Sequence, residues 1–265
     1  DVYKRQVINL YSDIPPAKPF EGKTELFMRS VNESLGLSVR VAGKNNWFYY
    51  KANLTLVDYA DYKVPTDSIQ YYSYYIRLKE QRLRNTAGKE RDGSLLCGYA
   101  GERFSTSFRI SDTYVRSGFF ANAHGLEVRL SDIDYDRSRC DIDLPRHDVN
   151  HLKVTNHSAW RTGAVRWESN LSYQNNLRRE HSEPVSHGYM PMPPGTLERK
   201  YIKNTYTASL GMKALIAERH SLNAGLNEEH QHNRRSGWGF IIPDFETTSW
   251  GGYAFDRYFL SDDLI

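Results

Sequence analysis

Cysteine is almost absent: Cys97 and Cys140 are the only two in 265 residues. Two distant thiols give neither a disulfide framework nor the four-ligand set of a structural zinc site. No run approaches the ~18 consecutive apolar residues of a membrane-crossing helix. A transmembrane barrel needs only alternating segments of about ten, so a membrane is not excluded. No charge dominates: 35 Lys and Arg face 32 Asp and Glu, a net +3. That balance excludes a nucleic-acid-binding tail and a polybasic anchor. Hydrophobic residues reach only 39%, below the ~45–50% of an ordinary globular chain. No segment carries a helical stripe. No Ser–His–Asp order, paired-carboxylate spacing or phosphate-cradling glycine loop stands out, so no enzymatic reading and no cofactor follows.

What the chain does have is aromatics, 13% with 19 tyrosines and 5 tryptophans, which disordered chains lack. It also has a period of two. Val165, Trp167, Ser169, Leu171 and Tyr173 alternate with Arg166, Glu168, Asn170, Ser172 and Gln174. Tyr206, Ala208, Leu210 and Met212 alternate with Thr205, Thr207, Ser209 and Lys213. Residues 35–42, 47–57 and 103–111 repeat the pattern. About ten strands are predicted: 23–32, 35–43, 47–58, 86–100, 103–114, 148–160, 164–179, 201–215, 220–233 and 249–260.

Short connections at 43–46, 100–102, 161–163 and 216–219 alternate with long ones near 59–85, 115–147, 180–200 and 234–248. Tight turns then lie at one end of the sheet and long loops at the other, as in outer-membrane barrels. Folding 148–160 back on 164–179 predicts Trp160 opposite Val165, Val154 opposite Leu171 and His157 opposite Glu168. It also sets Tyr99 beside Phe104 and Val41 beside Phe48. One face should carry Leu37, Val39, Tyr50, Leu54, Phe108, Val154, Trp167, Leu171, Ala208 and Leu210. The other should carry Arg40, Lys51, Arg109, Thr155, Glu168, Asn170 and Ser209. A soluble all-β protein with one wet face also fits a single such hairpin. A membrane barrel fits the strand lengths, the long loops and an apolar face too broad for this chain to cover. Cys97 is expected on the apolar face and Cys140 in a loop at the far end, so no bond between them is expected.

The ends add a resemblance. DVYKRQ, residues 1–6, has no pattern and reads as a translated adaptor; the chain is expected to be a fragment. Val7-Ile8-Asn9-Leu10 is similar to the last plug strand of TonB-dependent outer-membrane receptors. Residues 250–264, from Trp250-Gly251-Gly252-Tyr253 to Ser261-Asp262-Asp263-Leu264, resemble a mid-barrel strand and turn of that family. The resemblance implies residues 7–20 as the end of the plug and 21–265 as part of an antiparallel, incomplete transmembrane β-barrel. About ten of about 22 strands would be present. It further implies a Gram-negative outer membrane and active uptake of a scarce solute: a ferric siderophore, haem or cobalamin. TonB would be the partner, engaged through a plug upstream of residue 7. A passive porin or structural barrel, and a soluble carbohydrate-binding β protein, are the competing readings. Ten strands of a wider barrel should leave two unpaired edges, near 23–32 and 249–260.

Candidate ligand contacts lie in the long loops. Tyr71, Tyr72, Tyr74, Tyr75 and Arg77 offer flat amphipathic surfaces and a cation for an anionic chelate. They also fit an upper aromatic girdle. His187 and Tyr189, with His181, Met190 and Met192, form a soft-donor cluster that could suit copper or simply pack a proline-rich loop. Trp238 sits near His230, His232, Arg234 and Arg235, where lipopolysaccharide phosphates are a possible contact. Arg40, Lys51, Arg109, His151, Lys153, His157, Arg166 and Glu168 are expected to face the lumen, toward plug or solute, or to pair across strands.

Overall fold

The computed structural model describes residues 14–71, 74–120, 138–186, 189, 191–216, 219–239 and 241–258. Fourteen strands follow in chain order: β1 (Phe20–Arg29), β2 (Ser34–Asn45), β3 (Phe48–Tyr59), β4 (Tyr62–Lys63), β5 (Ser68–Tyr71), β6 (Tyr74–Arg77), β7 (Arg82–Leu83), β8 (Gly88–Ala100), β9 (Phe104–Gly118), β10 (Arg146–Thr162), β11 (Val165–His181), β12 (Leu197–Ile216), β13 (His220–Ser236) and β14 (Phe245–Tyr258). Ten of them make one antiparallel sheet in the order β1-β2-β3-β8-β9-β10-β11-β12-β13-β14, while β4–β7 and β5–β6 form two small ribbons in the 60–87 connection. The ribbons carry no long alternation, so the sequence pattern predicts a loop there. Among the described residues no pairing joins β1 to β14. The sheet is an incomplete barrel wall with two open edges.

The period of two places side chains as expected. Directly paired residues share a face, so each face can be traced along hydrogen-bonded rungs. One rung runs Val41–Ala52–Leu95–Ile110–Val154–Tyr173–Tyr206. The next on the same face runs Tyr50–Cys97–Phe108–Asn156–Leu171–Ala208. Between them, on the other face, lies Lys51–Leu96–Arg109–Thr155–Ser172–Thr207. The whole expected apolar set falls on one face and the whole expected polar set on the other.

The apolar face is the uncovered one. Leu26 and Leu226 are 70% exposed, Leu54 is 50% and Phe108 and Leu171 are 51%. The core cluster that the described residues form is Leu78 and Phe120, with Val64, Ile69 and Leu83 beside them. Its members are Phe120 and residues of the 60–87 connection, outside the ten-stranded sheet. On the polar face the alternation has an exception: Leu96 is buried at 2%, between Lys51 and Arg109 in its rung.

The β10–β11 register departs from the expectation by two residues. Trp160 pairs with Trp167, Val154 with Tyr173 and His157 with Asn170. The turn is Gly163-Ala164, closed by Thr162 and Val165, rather than a turn beginning at Arg161. Gly163 at φ +59° supplies the positive dihedral that a two-residue hairpin turn requires. Trp160 and Trp167 stack at 6.2 Å. Val41 likewise pairs with Ala52, not beside Phe48, because the β2–β3 turn is Asn46-Trp47. Tyr99 and Phe104 do meet, at 6.1 Å between ring centroids.

A recurrent pairing pins other registers. Phe27 lies opposite Gly36, Tyr49 opposite Gly98 and Tyr59 opposite Gly88, and Tyr253 opposite Gly225. In each, the ring lies over the glycine. A Cβ there would fall 2.1 Å from Phe27, 2.2 Å from Tyr49, 2.4 Å from Tyr59 or 2.8 Å from Tyr253. Only hydrogen at that position leaves room for the ring, so the glycine is required by close approach.

The turns do not lie on one rung. The β2–β3 turn closes at Asn45–Phe48. Followed across the sheet, Phe48 shares its rung with Tyr99, Thr106, Ser158, Ser169, Leu210 and Leu226. The β12–β13 turn closes at Ile216–His220, six residues beyond Leu210–Leu226. Those two hairpins are six strand steps apart in the sheet. The offset is one residue, ~3.3 Å, per ~4.8 Å of sheet width, which corresponds to a strand tilt of about 35° if the turns lie in one plane. The apolar band does not follow that slope from β3 to β12: Leu56, Tyr114, Leu177 and Ile202 share one rung. Its last member on β3 is Leu56, whose rung reaches Arg234 on β13. On β13 the band stops at Leu226, much nearer the turns.

Candidate functional site

Arg40, Lys51, Arg109, His151, Lys153, His157, Arg166 and Glu168 all stand on the polar face, on strands β2, β3, β9, β10 and β11. They form a wall, not a cluster. Arg40 Nε donates to Asn53 Oδ1 at 3.0 Å, and Asn53 Nδ2 to Ser94 Oγ at 3.3 Å. His157 Nδ1 lies 2.6 Å from Asn170 Oδ1, and Asn170 Nδ2 donates to Ser209 Oγ at 3.1 Å. His151 Nδ1 lies 3.1 Å from Asn176 Nδ2. Arg166 pairs with Glu168 on its own strand at 3.0 Å. The expected His157–Glu168 pairing is replaced by His157–Asn170, through the two-residue register difference above. Such chains of amides, hydroxyls and cations give a wettable surface that can exchange hydrogen bonds with a passing polar solute.

The loop residues distribute over three connections. Tyr71 and Tyr74 close the β5–β6 ribbon as a backbone pair. Their side chains, together with Tyr72 and His187, lie outside the described residues. Tyr75 is exposed at 72% and Arg77 is exposed on the same strand. Tyr189, in the 182–196 connection, is fully exposed. Trp238, in the 237–244 connection, donates from Nε1 to Gly195 O at 2.9 Å. That bond ties the last two loops together but leaves Tyr75 and Arg77 on a loop of their own. Met190 lies outside the described residues. Among those described, no group of three or more His, Cys, Asp or Glu is arranged to hold a metal. Both cysteines are free.

Sequence reasoning missed the base on which these loops stand. Asp61 is wholly buried and Arg82 is 2% exposed. Asp61 Oδ1 accepts from the Thr86 and Ala87 N–H groups at 2.7 and 3.0 Å. Its carbonyl accepts from Arg82 Nη1 at 2.9 Å, and its N–H donates to Arg139 O at 2.8 Å. Arg82 also binds Glu33 in the β1–β2 turn, and Arg139 Nε lies 2.8 Å from the other Glu33 oxygen. Asn85 Nδ2 donates to Pro145 O at 2.8 Å and to Phe119 O at 3.0 Å. Three loops, 31–33, 60–87 and 119–145, are thus fastened at one point. Burial works against ionisation of Glu33. The Arg82 hydrogen bond and charge outweigh it, helped by Arg139 and Lys63, and hold the carboxyl below its ordinary range. A second fastening joins the later loops: Ser182 Oγ donates to Glu198 Oε2 at 2.5 Å, Arg199 pairs with Glu180 at 2.8 Å, and Gly239 N donates to Glu198 O at 2.8 Å. The one sequence signal for this base is an acidic residue at or beside several strand ends: Glu33, Asp61, Glu180 and Glu198.

Comparison with known proteins adds little to this geometry. No family model matches the chain, and no curated protein matches it in sequence. The solved structures to which it is similar include three transport proteins. The ferric yersiniabactin uptake receptor FyuA of Yersinia pestis is 13% identical, at a TM-score of 0.43, with 94% of this chain and 46% of that one covered. The ferric-catecholate import receptor Fiu of E. coli K12 is 12% identical, at 0.46, with 92% and 48% covered. The copper transporter OprC is 11% identical, at 0.41, with 94% and 46% covered. The chain spans about half the length of each.

Proposed function

We propose that this chain is part of the wall of an outer-membrane transport barrel of the TonB-dependent kind, in a Gram-negative bacterium. One observation carries the reading. The broad apolar face is uncovered, and the turns beside it step across the rungs at one residue per strand. A flat sheet in water gains nothing from that slope. In a bilayer, turns that share one membrane surface require it of strands tilted by about 35–45°. Closely spaced turns on one side and long loops on the other agree with this orientation. Residues 7–20 would then be the end of an internal plug and 21–265 barrel wall.

The loops gather a scarce solute, with Tyr71, Tyr72, Tyr74, Tyr75, Arg77, His187, Tyr189 and Trp238 offering aromatic faces and a cation. The polar wall of Arg40, Lys51, Arg109, His151, Lys153, His157, Arg166 and Glu168 lines its route. A ferric chelate, haem or cobalamin suits a site that offers flat apolar contacts and positive charge. TonB supplies the energy through the plug. The test is growth under metal limitation of a strain lacking the gene for this chain, supplied with ferric chelates, haem or cobalamin singly. Loss of growth on one of them, repeated when TonB is inactivated, is the expected result. Uptake that persists without TonB points to a passive pore instead.

A further inference from the structure

The connection between β13 and β14 folds onto the polar face of the sheet. Tyr201, on β12, is buried on that face between Arg178 and Arg235 in its rung. Its Oη accepts from the N–H groups of Ile241 and Ile242 at 2.9 and 3.4 Å. Asn233, on the same face and also buried, donates from Nδ2 to Pro243 O at 2.9 Å. Asp244 Oδ1 accepts from the Arg235 N–H at 2.5 Å, and Gly239 N donates to Glu198 O at 2.8 Å. The connection is thus fixed at both ends and in the middle. What it presents is nevertheless apolar: Ile241 is 71% exposed and Ile242 47%. Cations stand beside it. Lys203, Asn233 and Phe245 share one rung, with Lys203 Nζ 5.9 Å from the centre of the Phe245 ring.

We infer that Ile241 and Ile242 form a fixed ledge at the mouth of the lumen, which takes the apolar ring face of the transported solute. The inference rests on the transport reading above and narrows it. The solute is a flat apolar ring system carrying acidic groups, as haem is, and not a hydrophilic ferric chelate. Apolar side chains held out together on a rigid frame mark a binding surface. Covering them with an apolar face removes their contact with water. Because the backbone is already held, docking immobilises little of the loop. The neighbouring charges supply the rest of the description. Arg178, Lys203 and Arg235 lie on the rungs of Tyr201 and Asn233, the two side chains that hold the ledge. Cations so placed attract acidic groups at the edge of a ring that lies on the isoleucines. A wholly polar chelate would use the cations but leave the ledge wet. Tyr201 is a positioning residue, since it touches the loop backbone and acts through it.

The experiment titrates the intact, membrane-reconstituted protein with haemin, protoporphyrin IX, protoporphyrin dimethyl ester and ferric citrate. Haemin and protoporphyrin IX should bind alike, the ester about tenfold more weakly, and ferric citrate not detectably. Ile241→Asp with Ile242→Asp should lower haemin affinity about tenfold or more, while Ile241→Leu with Ile242→Leu leaves it unchanged. Tyr201→Phe keeps the ring but releases the two N–H groups. Hydrogen exchange at 241 and 242 should quicken about tenfold, and bound haemin should restore the protection. In a Cys97→Ser, Cys140→Ser background, the Ile241→Cys variant should react on whole cells with an impermeant maleimide, and haemin should slow the reaction. Absence of haemin binding, undiminished binding by the Asp pair, or equal binding of the ester or of ferric citrate overturns the inference. So does unchanged exchange in Tyr201→Phe, or no maleimide reaction of Ile241→Cys, because protein then covers the ledge. TonB-dependent uptake is read separately. If the protein imports another solute only when TonB is active and fails these tests, the ledge alone is refuted; if no import depends on the protein, the transport reading fails and the ledge with it.

Discussion

At the turn end of the sheet, two-residue connections such as Gly163-Ala164 join strands whose apolar side chains face outward. At the loop end, the buried charged residues collect: Asp61, Arg82, Arg84, Asp148, Glu180 and Glu198. The first end is held by backbone ladders and ring contacts between neighbouring strands. The second is held by ion pairs and hydrogen bonds between segments more than a hundred residues apart in the case of Glu33 and Arg139. Local pattern builds the wall, and long-range polar contacts position what stands on it.

The largest expected effect separates the two ends. Arg82→Ala leaves Asp61 and Glu33 without their buried cation and should destabilise the loop base by about 3 kcal/mol. Proteolysis within 60–87 should accelerate more than tenfold while the strand content stays unchanged. Loss of the whole sheet would show that the two ends are one unit. Next comes Leu171→Arg, which sets a charge in mid-band on the outward face. It should cost about 2–4 kcal/mol of membrane insertion, read by denaturant titration in vesicles. Asn170→Arg, one residue away on the polar face, should cost far less. Equal effects would mean that the band does not meet lipid.

A smaller effect belongs to the wall alone. Gly98→Ala drives Tyr49 off its seat and should cost about 1–3 kcal/mol. Adding Tyr49→Ala should recover part of that loss in a double-mutant cycle. Simple additivity would show that the ring contact does not matter. The smallest effect is a pH dependence. Glu33 ionises more readily in the folded chain than unfolded. Its contribution is therefore complete above the ordinary carboxylate range and is lost as the pH falls through the lowered value. Protection of 60–87 from an acid-active protease should weaken in that window, and Glu33→Gln should remove the dependence.

The wall was legible in the sequence because period two survives in any context. Leu171 and Asn170 took their faces from alternation alone. Register was not legible to the same degree: the β10–β11 pairing came out two residues away, since a slip of two keeps every face correct. The loop base was illegible. Asp61 and Arg82 look like ordinary loop charges until the 60–87 and 119–145 segments meet. The strands β4 to β7 are too short to show a period.

The rings seated on glycines supply what alternation lacks. A growing sheet that slipped by two would keep lipid and water faces intact, so burial gives no penalty to the error. Yet Phe27 would then meet Ser34 or Ser38, and Tyr49 would meet Leu96 or Ala100. Each has a Cβ where the ring must lie. The glycines act as a proofreading code: as each new strand zips onto its neighbour, only one even-numbered alignment admits the rings, and the misaligned strands can release before the next one adds.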